Sequence, residues 1–511
     1  MNFINALCTK GMRRRLCFIL LHRRYRKFMV GRTKSLLKRI QFMENHFQES
    51  HTILTTNYNP NYPRVMERFR ERQILSEDTK VVNIYEWFTN GKIEQFPYTK
   101  FKKKPKYHET PIEIKGLSYQ QSKKDAKVFR YYKEDTYMLY RKYYDIELGI
   151  LHFEDVMLPS QKHKVERREY NEFGYLHRVI LYDKKDNFKL SETLYDRDGE
   201  IYCIRHFKGN KVSHIHLYQN GNITHAFDDE KDFFTYFFEN VIEANSKVFN
   251  DARLLDRAIL NVSQPIKNIF MIHSSHKNVD DSIKKSFGIF NQRVDEIDQI
   301  VVLTEQQKQD MIEDFNISAQ RISVLPHFMT IHEPQHVERK QRFLYIGRID
   351  ENKQLSHILK AFKIYQEAGY DYGLDIYGHG ESRPVKQMEQ YIRELNLGDK
   401  VQFHGKTNQP GKVFSQHAAS LLTSQFEGFS LAVMESINNG CPVLAYDIRY
   451  GPREMIKSGE NGYLVEPQNI EDLADKMMKI TEHPITDVKL DDRFGIQHAE
   501  EKYAALLQSV E

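Results

Sequence analysis

Short apolar segments alternate with amphipathic segments along the C-terminal part of the chain. Residues 343–346, 374–377 and 419–424 are mostly apolar runs of strand length, and residues 355–362 place apolar side chains at helical spacing. Strands that alternate with helices are typical of a parallel sheet covered by helices on both faces. The pattern therefore predicts a doubly wound α/β domain over residues 326–487.

A similar alternation occurs in two separate parts of the N-terminal half. The first part holds a candidate strand at residues 16–21, a helix at 28–37 and a strand at 51–56. The second part predicts, in order, a helix at 232–248, strands at 268–272 and 299–303, a helix at 305–315 and a strand at 322–325. Because both parts show the same pattern, we expect one α/β domain that an insertion interrupts.

The segment between these two parts has a different pattern. Turn signals recur every eleven to fourteen residues, among them Asp198-Gly199 and Asn220-Gly221. Alternating segments between the turns predict strands at 177–182, 190–195, 201–207 and 212–218. Such turns between alternating segments are typical of antiparallel hairpins, so we expect an inserted β-meander. Asp196 and Asp198 form an Asp-x-Asp sequence of the kind that binds metals, but Gly199 favours a hairpin turn there.

These patterns divide the chain into five segments. We expect residues 1–80 and 231–325 to form the N-terminal domain, 81–230 the inserted sheet, and 326–487 the C-terminal domain. Residues 488–511 predict a final helix that packs back on the N-terminal domain.

One strand-to-helix turn carries most of the candidate chemistry. Residues 427–430 follow an apolar strand segment, and a helix is predicted from Leu431. Free N–H groups and the positive end of the helix dipole suit a phosphate, and Gly428 lets a ligand approach the backbone closely. Glu435 lies two turns into the helix, so Glu427 and Glu435 can face one bound molecule. Since carboxylates accept hydrogen bonds from sugar hydroxyls but repel phosphate, the combination indicates a nucleotide-sugar.

This segment resembles the Glu pair of retaining glycosyltransferases of family 4. The resemblance is strengthened by residues 439–443 and 462–465, which follow it. It implies the GT-B fold, an α/β architecture of two Rossmann-like domains that face a cleft. It also implies that Glu427 contacts the donor sugar and that Glu435 binds the ribose. The turn residues expected to line the donor site are Gly428, Phe429, Ser430 and Leu431.

A second segment supports the same interpretation. The strand at 343–346 is followed by Gly347 and Arg348, and Lys353 lies five positions further on. Two cations at the end of a parallel strand suit a diphosphate, because they neutralise a leaving group without a metal ion. In the resembled family, Arg and Lys at this spacing bind the UDP group. We therefore expect Arg348 and Lys353 to do so, with no metal and no other cofactor.

Four further candidate residues follow predicted strands. His273 comes after the apolar run 269–272, and the resemblance makes it a catalytic residue that contacts the donor sugar or the acceptor. His276 is a weaker candidate of the same kind. Gly378 and His404 lie in loops that we expect to border the nucleotide.

Charge and cysteine content bear on the cell compartment. The 511-residue chain carries a net charge of +5, but residues 1–40 hold twelve Lys and Arg and no Asp or Glu. Its four cysteines lack metal or disulfide spacing, and no apolar run reaches the length of a membrane span. These features predict a cytoplasmic enzyme with no nucleic-acid partner. The basic residues 1–40 favour contact with an anionic membrane face or a polyanionic acceptor. A solvated tail is an alternative, and a transit peptide agrees less well with the remaining sequence.

The N-terminal residues depart from the family pattern. A glycine-rich loop is expected after the first strand, but residues 22–27 read HRRYRK. Long cationic side chains crowd a loop that normally offers backbone amides to the ligand. Either Gly11 and Met12 belong to a displaced loop, or residues 1–27 are altered relative to active relatives.

The sequence thus predicts a retaining, metal-independent transferase that moves GlcNAc or glucose from a UDP-sugar. The inserted sheet resembles the extra β-domain of enzymes that glycosylate wall teichoic acid or serine-rich surface proteins, which implies acceptor binding and a homo-oligomer through that sheet. A teichoic acid polyol-phosphate polymer is the favoured acceptor, and a Ser-rich or Ser-Asp-repeat adhesin is the alternative. A third hypothesis, of a different class, is a catalytically weak partner that binds acceptor for an active transferase.

Overall fold

The computed structural model describes residues 16–20, 31–47, 51–92, 106–159, 161–333 and 337–510. The chain divides into two compact units, and the boundary lies between Asn268 and Ile269. Within the described ranges no helix is both long enough and apolar enough to cross a membrane.

The first unit contains parallel and antiparallel strands and five helices among its described residues. In chain order its elements are β1 (Leu16–Leu20), α1 (Gly31–Phe47), β2 (His51–Thr55), α2 (Tyr62–Glu71), β3 (Lys80–Asn83), α3 (Ile84–Phe88), β4 (Ser118–Gln121), β5 (Val128–Lys133), β6 (Thr136–Asp145), β7 (Ile150–Leu158), β8 (Gln161–Tyr170), β9 (Leu176–Tyr182), β10 (Lys189–Tyr195), β11 (Ile201–Lys208), β12 (Lys211–Gln219), β13 (Asn222–Phe227), α4 (Glu230–Val241), β14 (Lys247–Asn250) and α5 (Asp256–Leu260).

The parallel strands of this unit come from both of the separated parts of the sequence and pair with one another. β1 lies between β14 and β2, and β3 continues the sheet beyond β2. The predicted strands at 16–21 and 51–56 are confirmed. The predicted helix at 28–37 is observed from Gly31 and is longer than expected. Gly11, Met12 and the cationic segment 22–27 lie outside the described residues.

The predicted helix at 232–248 is wrong in its second half. α4 begins after Asp229, whose carboxylate accepts the N–H groups of Lys231 (2.6 Å) and Asp232 (3.0 Å). It ends at Val241, and Asn245 adopts a left-handed φ of 63° that no helix continues through. The apolar residues that follow therefore form β14 rather than another helical turn.

The inserted segment is an antiparallel sheet, as the turn spacing predicts. β4 to β13 form ten strands, and each pairs with the next one along the chain. Gly199 has a φ of +84°, and the Asp196 carboxylate accepts the N–H groups of Asp198 (2.9 Å) and Glu200 (3.0 Å). Asp196 is therefore engaged in a hairpin turn, which supports the turn interpretation of the Asp-x-Asp sequence.

The second unit is built from parallel strands and helices. In chain order it contains β15 (Lys267–Met271, which begins just before the boundary), α6 (Gly288–Gln292), β16 (Gln299–Val302), α7 (Glu305–Phe315), β17 (Ile322–Val324), β18 (Lys340–Ile349), α8 (Leu355–Glu367), β19 (Gly373–Gly380), α9 (Ser382–Glu394), β20 (Val401–Gly405), α10 (Pro410–Ser415), β21 (His417–Leu422), α11 (Leu431–Asn438), β22 (Val443–Tyr446), α12 (Pro452–Met455), β23 (Gly462–Val465), α13 (Ile470–Glu482) and α14 (Ile496–Ser509).

The order of the strands fixes where a ligand site can form. β15, β16 and β17 pair in parallel, and β18 to β23 form a six-stranded parallel sheet in the order β20-β19-β18-β21-β22-β23. The chain proceeds in one direction from β18 to β20 and in the other from β21 to β23. In open α/β sheets, ligands bind at the carboxyl ends of the strands where the direction changes. The loops after β18 and β21 hold that position.

A buried polar cluster stabilises the same sheet. Asp375 of β19 accepts a hydrogen bond from Nε of Arg342 (2.7 Å), and Nε2 of His417 lies 3.0 Å from its second oxygen. Burial alone would raise the pKa of Asp375, but hydrogen bonds from His417, Arg342 and His404 hold it well below its usual range. The carboxylate links β18, β19 and β21 in the ionised form.

We expect Asp375→Asn to lower the free energy of unfolding of the second unit by about 2 kcal/mol, since a charge-assisted hydrogen bond is lost from a buried site. A pKa depressed in the folded state contributes stability above the ordinary Asp pKa of about 3.9, and that contribution is lost as the pH falls through the depressed value. The loss of thermal stability should therefore be full at pH 7 and shrink in acid. Thermal midpoints at several pH values measure it.

Asp371→Asn is the matched control. Asp371 is 88% exposed and pairs with Lys400 at 2.5 Å, so its replacement should change stability by less than about 0.5 kcal/mol. Equal effects of the two substitutions would contradict a stabilising role for the Asp375 cluster.

Candidate functional site

The loop after β18 begins later than the sequence predicts. Gly347 and Arg348 were expected to follow the strand, but β18 continues to Ile349 because its ladder with β19 continues. Gly347 lies opposite Gly378 in that ladder, and a Cβ atom at Gly378 would lie 2.2 Å from the Gly347 carbonyl oxygen. The Arg348 side chain is 60% exposed, and its Nη1 lies 3.0 Å from Asp350 Oδ2.

The loops after β18 and β21 meet at three polar side chains. Lys353 Nζ forms an ion pair with Glu427 Oε1 and lies 3.3 Å from Ser424 Oγ. Ser424 Oγ donates to the same Oε1 over 2.7 Å. Lys353 is 14% exposed and Glu427 17%, so water screens this pair only partly. The structure thus brings the predicted cation and the predicted carboxylate into direct contact, with a serine that the sequence analysis missed.

Hydrogen bonds to backbone carbonyl groups hold these two loops together. The Thr423 hydroxyl donates to the Lys353 carbonyl (2.9 Å), and the Gln425 N–H donates to the Asn352 carbonyl (2.8 Å). The Asn352 side-chain amide donates to the Phe426 carbonyl over 3.2 Å. Thr423 and Asn352 were also missed, because their partners lie about seventy residues away in the chain. These contacts fix the position of Lys353 relative to Glu427.

His273 lies against the same turn. A Cβ atom at Gly428 would lie 2.1 Å from the His273 carbonyl oxygen, so only glycine fits between the two backbones. The imidazole of His273 stacks on that of His327 with ring centroids 6.2 Å apart, and His327 contacts the edge of Phe429 at 5.4 Å. His273 therefore lies beside the turn that contains Gly428, and His327 is a neighbour of that turn that the sequence did not indicate.

The turn leads into α11 as predicted. Ser430 has a left-handed φ of +71° and is buried, and its hydroxyl lacks a hydrogen-bond partner among the described residues. Helix α11 starts at Leu431, so its first N–H groups lie at the turn. Phe429 is buried against His327 and Phe494, which leaves its backbone rather than its ring for a ligand.

Glu435 and His276 have different surroundings. Glu435 is half-buried two turns into α11, and its carbonyl accepts a hydrogen bond from the Asn439 side chain over 2.7 Å. His276 is fully buried, and its Nε2 lies 2.8 Å from Asp314 Oδ2. Burial lowers the pKa of His276, although Asp314 opposes the shift. His276 therefore has the contacts of a structural residue.

Gly378 and His404 lie inside strands rather than in the following loops. β19 extends to Gly380 and β20 to Gly405, because parallel pairing continues along both. His404 Nε2 lies 3.2 Å from Asp375 Oδ1, and its ring stacks on Tyr377 with centroids 4.5 Å apart. The expected loop position of these two residues was wrong, and His404 belongs to the Asp375 cluster.

The side chains of Lys353 and Glu427 suit two different kinds of ligand group. Lys353 offers a positive charge beside a helix N-terminus, and both favour a phosphate group. Glu427 offers a carboxylate that accepts hydrogen bonds from hydroxyl groups. The two groups stay in contact because hydrogen bonds between the two loops hold the loops in place. A ligand that carries phosphate and hydroxyl groups together suits this pair.

We expect Gly428→Ala to disrupt the turn, because its Cβ atom would collide with the His273 carbonyl oxygen. Overpacking of this kind typically costs about 1–3 kcal/mol, which differential scanning calorimetry detects as a lower thermal midpoint. Gly398→Ala is the control, because nothing lies within 4 Å of a Cβ atom there. Equal thermal midpoints for the two variants would contradict the close approach.

Similarities to known proteins agree with this geometry. Residues 330–500 match the family described as Glycosyl transferases group 1. The chain is 25% identical over 496 residues to the poly(glycerol-phosphate) α-glucosyltransferase of Bacillus subtilis, with 91% of this chain and 69% of that relative covered. It is also 25% identical over 456 residues to the poly(ribitol-phosphate) α-N-acetylglucosaminyltransferase of Staphylococcus aureus, with 85% and 86% covered.

Two solved structures share the fold. A mutant of S. aureus TarM, in complex with fondaparinux, α-GlcNAc-glycerol and UDP, superposes with a TM-score of 0.76 at 21% identity and covers 97% of this chain and 99% of its own. The pneumococcal O-GlcNAc transferase GtfA, in complex with UDP and GlcNAc, gives 0.72 at 16% identity and covers 97% and 99%. The fold is therefore GT-B, and residues 330–500 form a glycosyl transferases group 1 domain.

Proposed function

We propose that the chain is a retaining glycosyltransferase that moves GlcNAc or glucose from a UDP-sugar to a teichoic acid polyol-phosphate polymer. The observation that carries this proposal is the contact between Lys353, Ser424 and Glu427 at the switch point of the parallel sheet. A cation and a carboxylate held together there suit the two halves of a nucleotide-sugar, its diphosphate and its sugar. The related enzymes that act on glycerol and ribitol phosphate polymers support the choice of acceptor.

In the proposed reaction the bond between the anomeric carbon and the UDP oxygen breaks, a bond to the acceptor hydroxyl oxygen forms, and the proton of that hydroxyl passes to the departing UDP. Negative charge develops on the departing diphosphate. Lys353 and Arg348 neutralise this charge, and the backbone amides of Ser430 and Leu431 donate hydrogen bonds to it. Since cations and amides supply this stabilisation, we propose that the transfer requires no metal ion.

The remaining residues orient the donor. Glu427 and His273 hold the sugar, and Glu435 binds the ribose hydroxyls. Ser424 keeps the Glu427 carboxylate in place through its 2.7 Å hydrogen bond. Such positioning accounts for a large part of catalysis. The entropy needed to orient the two reactants is lost when they bind, so it no longer adds to the barrier of the chemical step. The α-linkage in the names of both related enzymes supports retention of configuration.

A protein acceptor is the alternative. The O-GlcNAc transferase GtfA shares the fold over 97% of this chain, including the range that holds the ten-stranded sheet. An enzyme that glycosylates a Ser-rich surface protein would use the same donor residues. The two hypotheses differ only in the acceptor, and a catalytically weak partner protein would instead bind UDP without transferring sugar.

Incubation of the purified chain with labelled UDP-GlcNAc or UDP-glucose and a Gram-positive cell extract tests the proposal. The polymer and protein fractions are separated and counted, with and without excess EDTA. We expect label in the teichoic acid fraction under both conditions. Label in protein alone supports the adhesin alternative, and label that depends on added divalent ion contradicts the metal-free step. Bound UDP without any transfer supports the weak partner hypothesis.

We expect Glu427→Gln to reduce transfer by about 100-fold or more, because a misplaced donor sugar slows the reaction that strongly. The amide has the shape of the carboxylate, so the variant should keep its circular dichroism spectrum. Glu389→Gln, which changes an exposed carboxylate of α9, is the matched control and should retain full turnover. Wild-type turnover in the Glu427 variant would remove this residue from the site.

A further inference from the structure

Three histidines lie together on two neighbouring strands of the inserted sheet. His206 belongs to β11, and His214 and His216 belong to β12. One ring nitrogen from each residue can be chosen so that all three lie within 4.8 Å of one another. The rings of His206 and His214 stack with centroids 4.2 Å apart, and the ring of His216 lies 5.6 Å from that of His206.

The strand register explains why these rings meet. His206 and His214 are directly opposed in the antiparallel ladder, and His216 lies two positions beyond His214 on the same face. The opposite face of the same two strands carries the fully buried side chains of Cys203 and Ile215. All three histidines are half-buried. The cluster is therefore not part of the apolar core.

The surroundings keep the rings suitable for metal binding. A metal ion binds an unprotonated nitrogen of an imidazole ring. Ser213 Oγ lies 3.1 Å from Nδ1 of His214. This contact occupies Nδ1 and leaves Nε2 of that ring for a ligand, in the way that hydrogen-bond partners orient metal-binding histidines.

We propose that His206, His214 and His216 form a binding site for a divalent transition-metal ion such as Zn²⁺. Three imidazoles leave a fourth position for water or an exogenous ligand. Zn–N bonds of about 2.0–2.1 Å require the nitrogens to approach to about 3.3 Å, which rotation of half-exposed side chains on one face can achieve. The bound ion cross-links β11 and β12. The site belongs to the first unit, and the proposal is independent of the proposed donor site.

Metal titration of the full-length chain tests the proposal. The protein carries no polyhistidine tag, is stripped with a chelator and is then titrated with ZnCl₂ in a calorimeter. We expect one Zn²⁺ to bind per chain in the parent protein. His214→Gln and His216→Gln should each weaken this binding by about tenfold or more, since each removes one ligand. His163→Gln, an exposed histidine of β8, is the control and should bind as the parent does.

The Co²⁺ spectrum of the parent protein is a second measurement, and it does not depend on the variants folding. Co²⁺ in place of Zn²⁺ should give visible absorption bands of a four-coordinate nitrogen site in the parent, and equimolar Zn²⁺ should remove them. Zn²⁺ should also raise the thermal midpoint of the parent and of His163→Gln more than that of His214→Gln. The proposal is overturned if Zn²⁺ affinity is the same in all four proteins, or if the Co²⁺ spectrum of the parent is that of the hydrated ion.

Discussion

The parallel pairing of β18 with both β19 and β21 decides where the chemistry of the second unit is located. β18 lies between β19 and β21, and successive strands are added in one direction from β18 to β20 and in the other from β21 to β23. The loops that leave β18 and β21 at their carboxyl ends therefore diverge from a common point. Lys353 comes from one loop and Glu427 from the other. Without this strand order the two side chains, distant in sequence, would have no reason to meet.

The ion pair between these side chains contributes little to stability as such. Partly buried pairs lose hydration, and this loss offsets much of their attraction. Neutral hydrogen-bonding groups instead determine the position of the two side chains. The Thr423 hydroxyl and the Asn352 amide bind backbone carbonyls of the facing loop, and the Ser424 hydroxyl binds the Glu427 carboxylate. Lys353 is consequently held at a fixed place, with the Glu427 carboxylate as its counter-ion. A preorganised charge of this kind acts without reorganisation when a ligand arrives.

The sequence predicted the elements of the second unit well, because strand and helix periods there are strong and the turns contain glycine. It failed where tertiary contacts override local pattern. Gly378 and His404 lie in strands because pairing with neighbouring strands continues past the apolar residues. The helix predicted to reach residue 248 stops early because Asn245 turns the chain, and the apolar residues after it suit either element.

For the site, the sequence indicated the ionic residues but not the groups that position them. Glu427 and Lys353 stand in recognisable segments, whereas Ser424, Asn352 and His327 are ordinary residues. Each of them contacts a residue far away in the chain, namely Lys353, Phe426 and His273 respectively. Their roles depend on which loops become neighbours, and this depends on strand order. Local periodicity carries no information about strand order. The close contact between Gly428 and the His273 carbonyl could not be foreseen for the same reason.

The turn at Gly428 and the inserted sheet are constrained in opposite ways. At Gly428 two backbones touch, so the residue type is fixed by geometry and even one added carbon collides. On β11 and β12 successive residues point to opposite faces, so the histidine face can change while the buried Cys203 and Ile215 remain. Only the register that sets His206 opposite His214 must be preserved there. A sheet with one buried face can therefore gain a binding site on the other face without altering the core that keeps it folded.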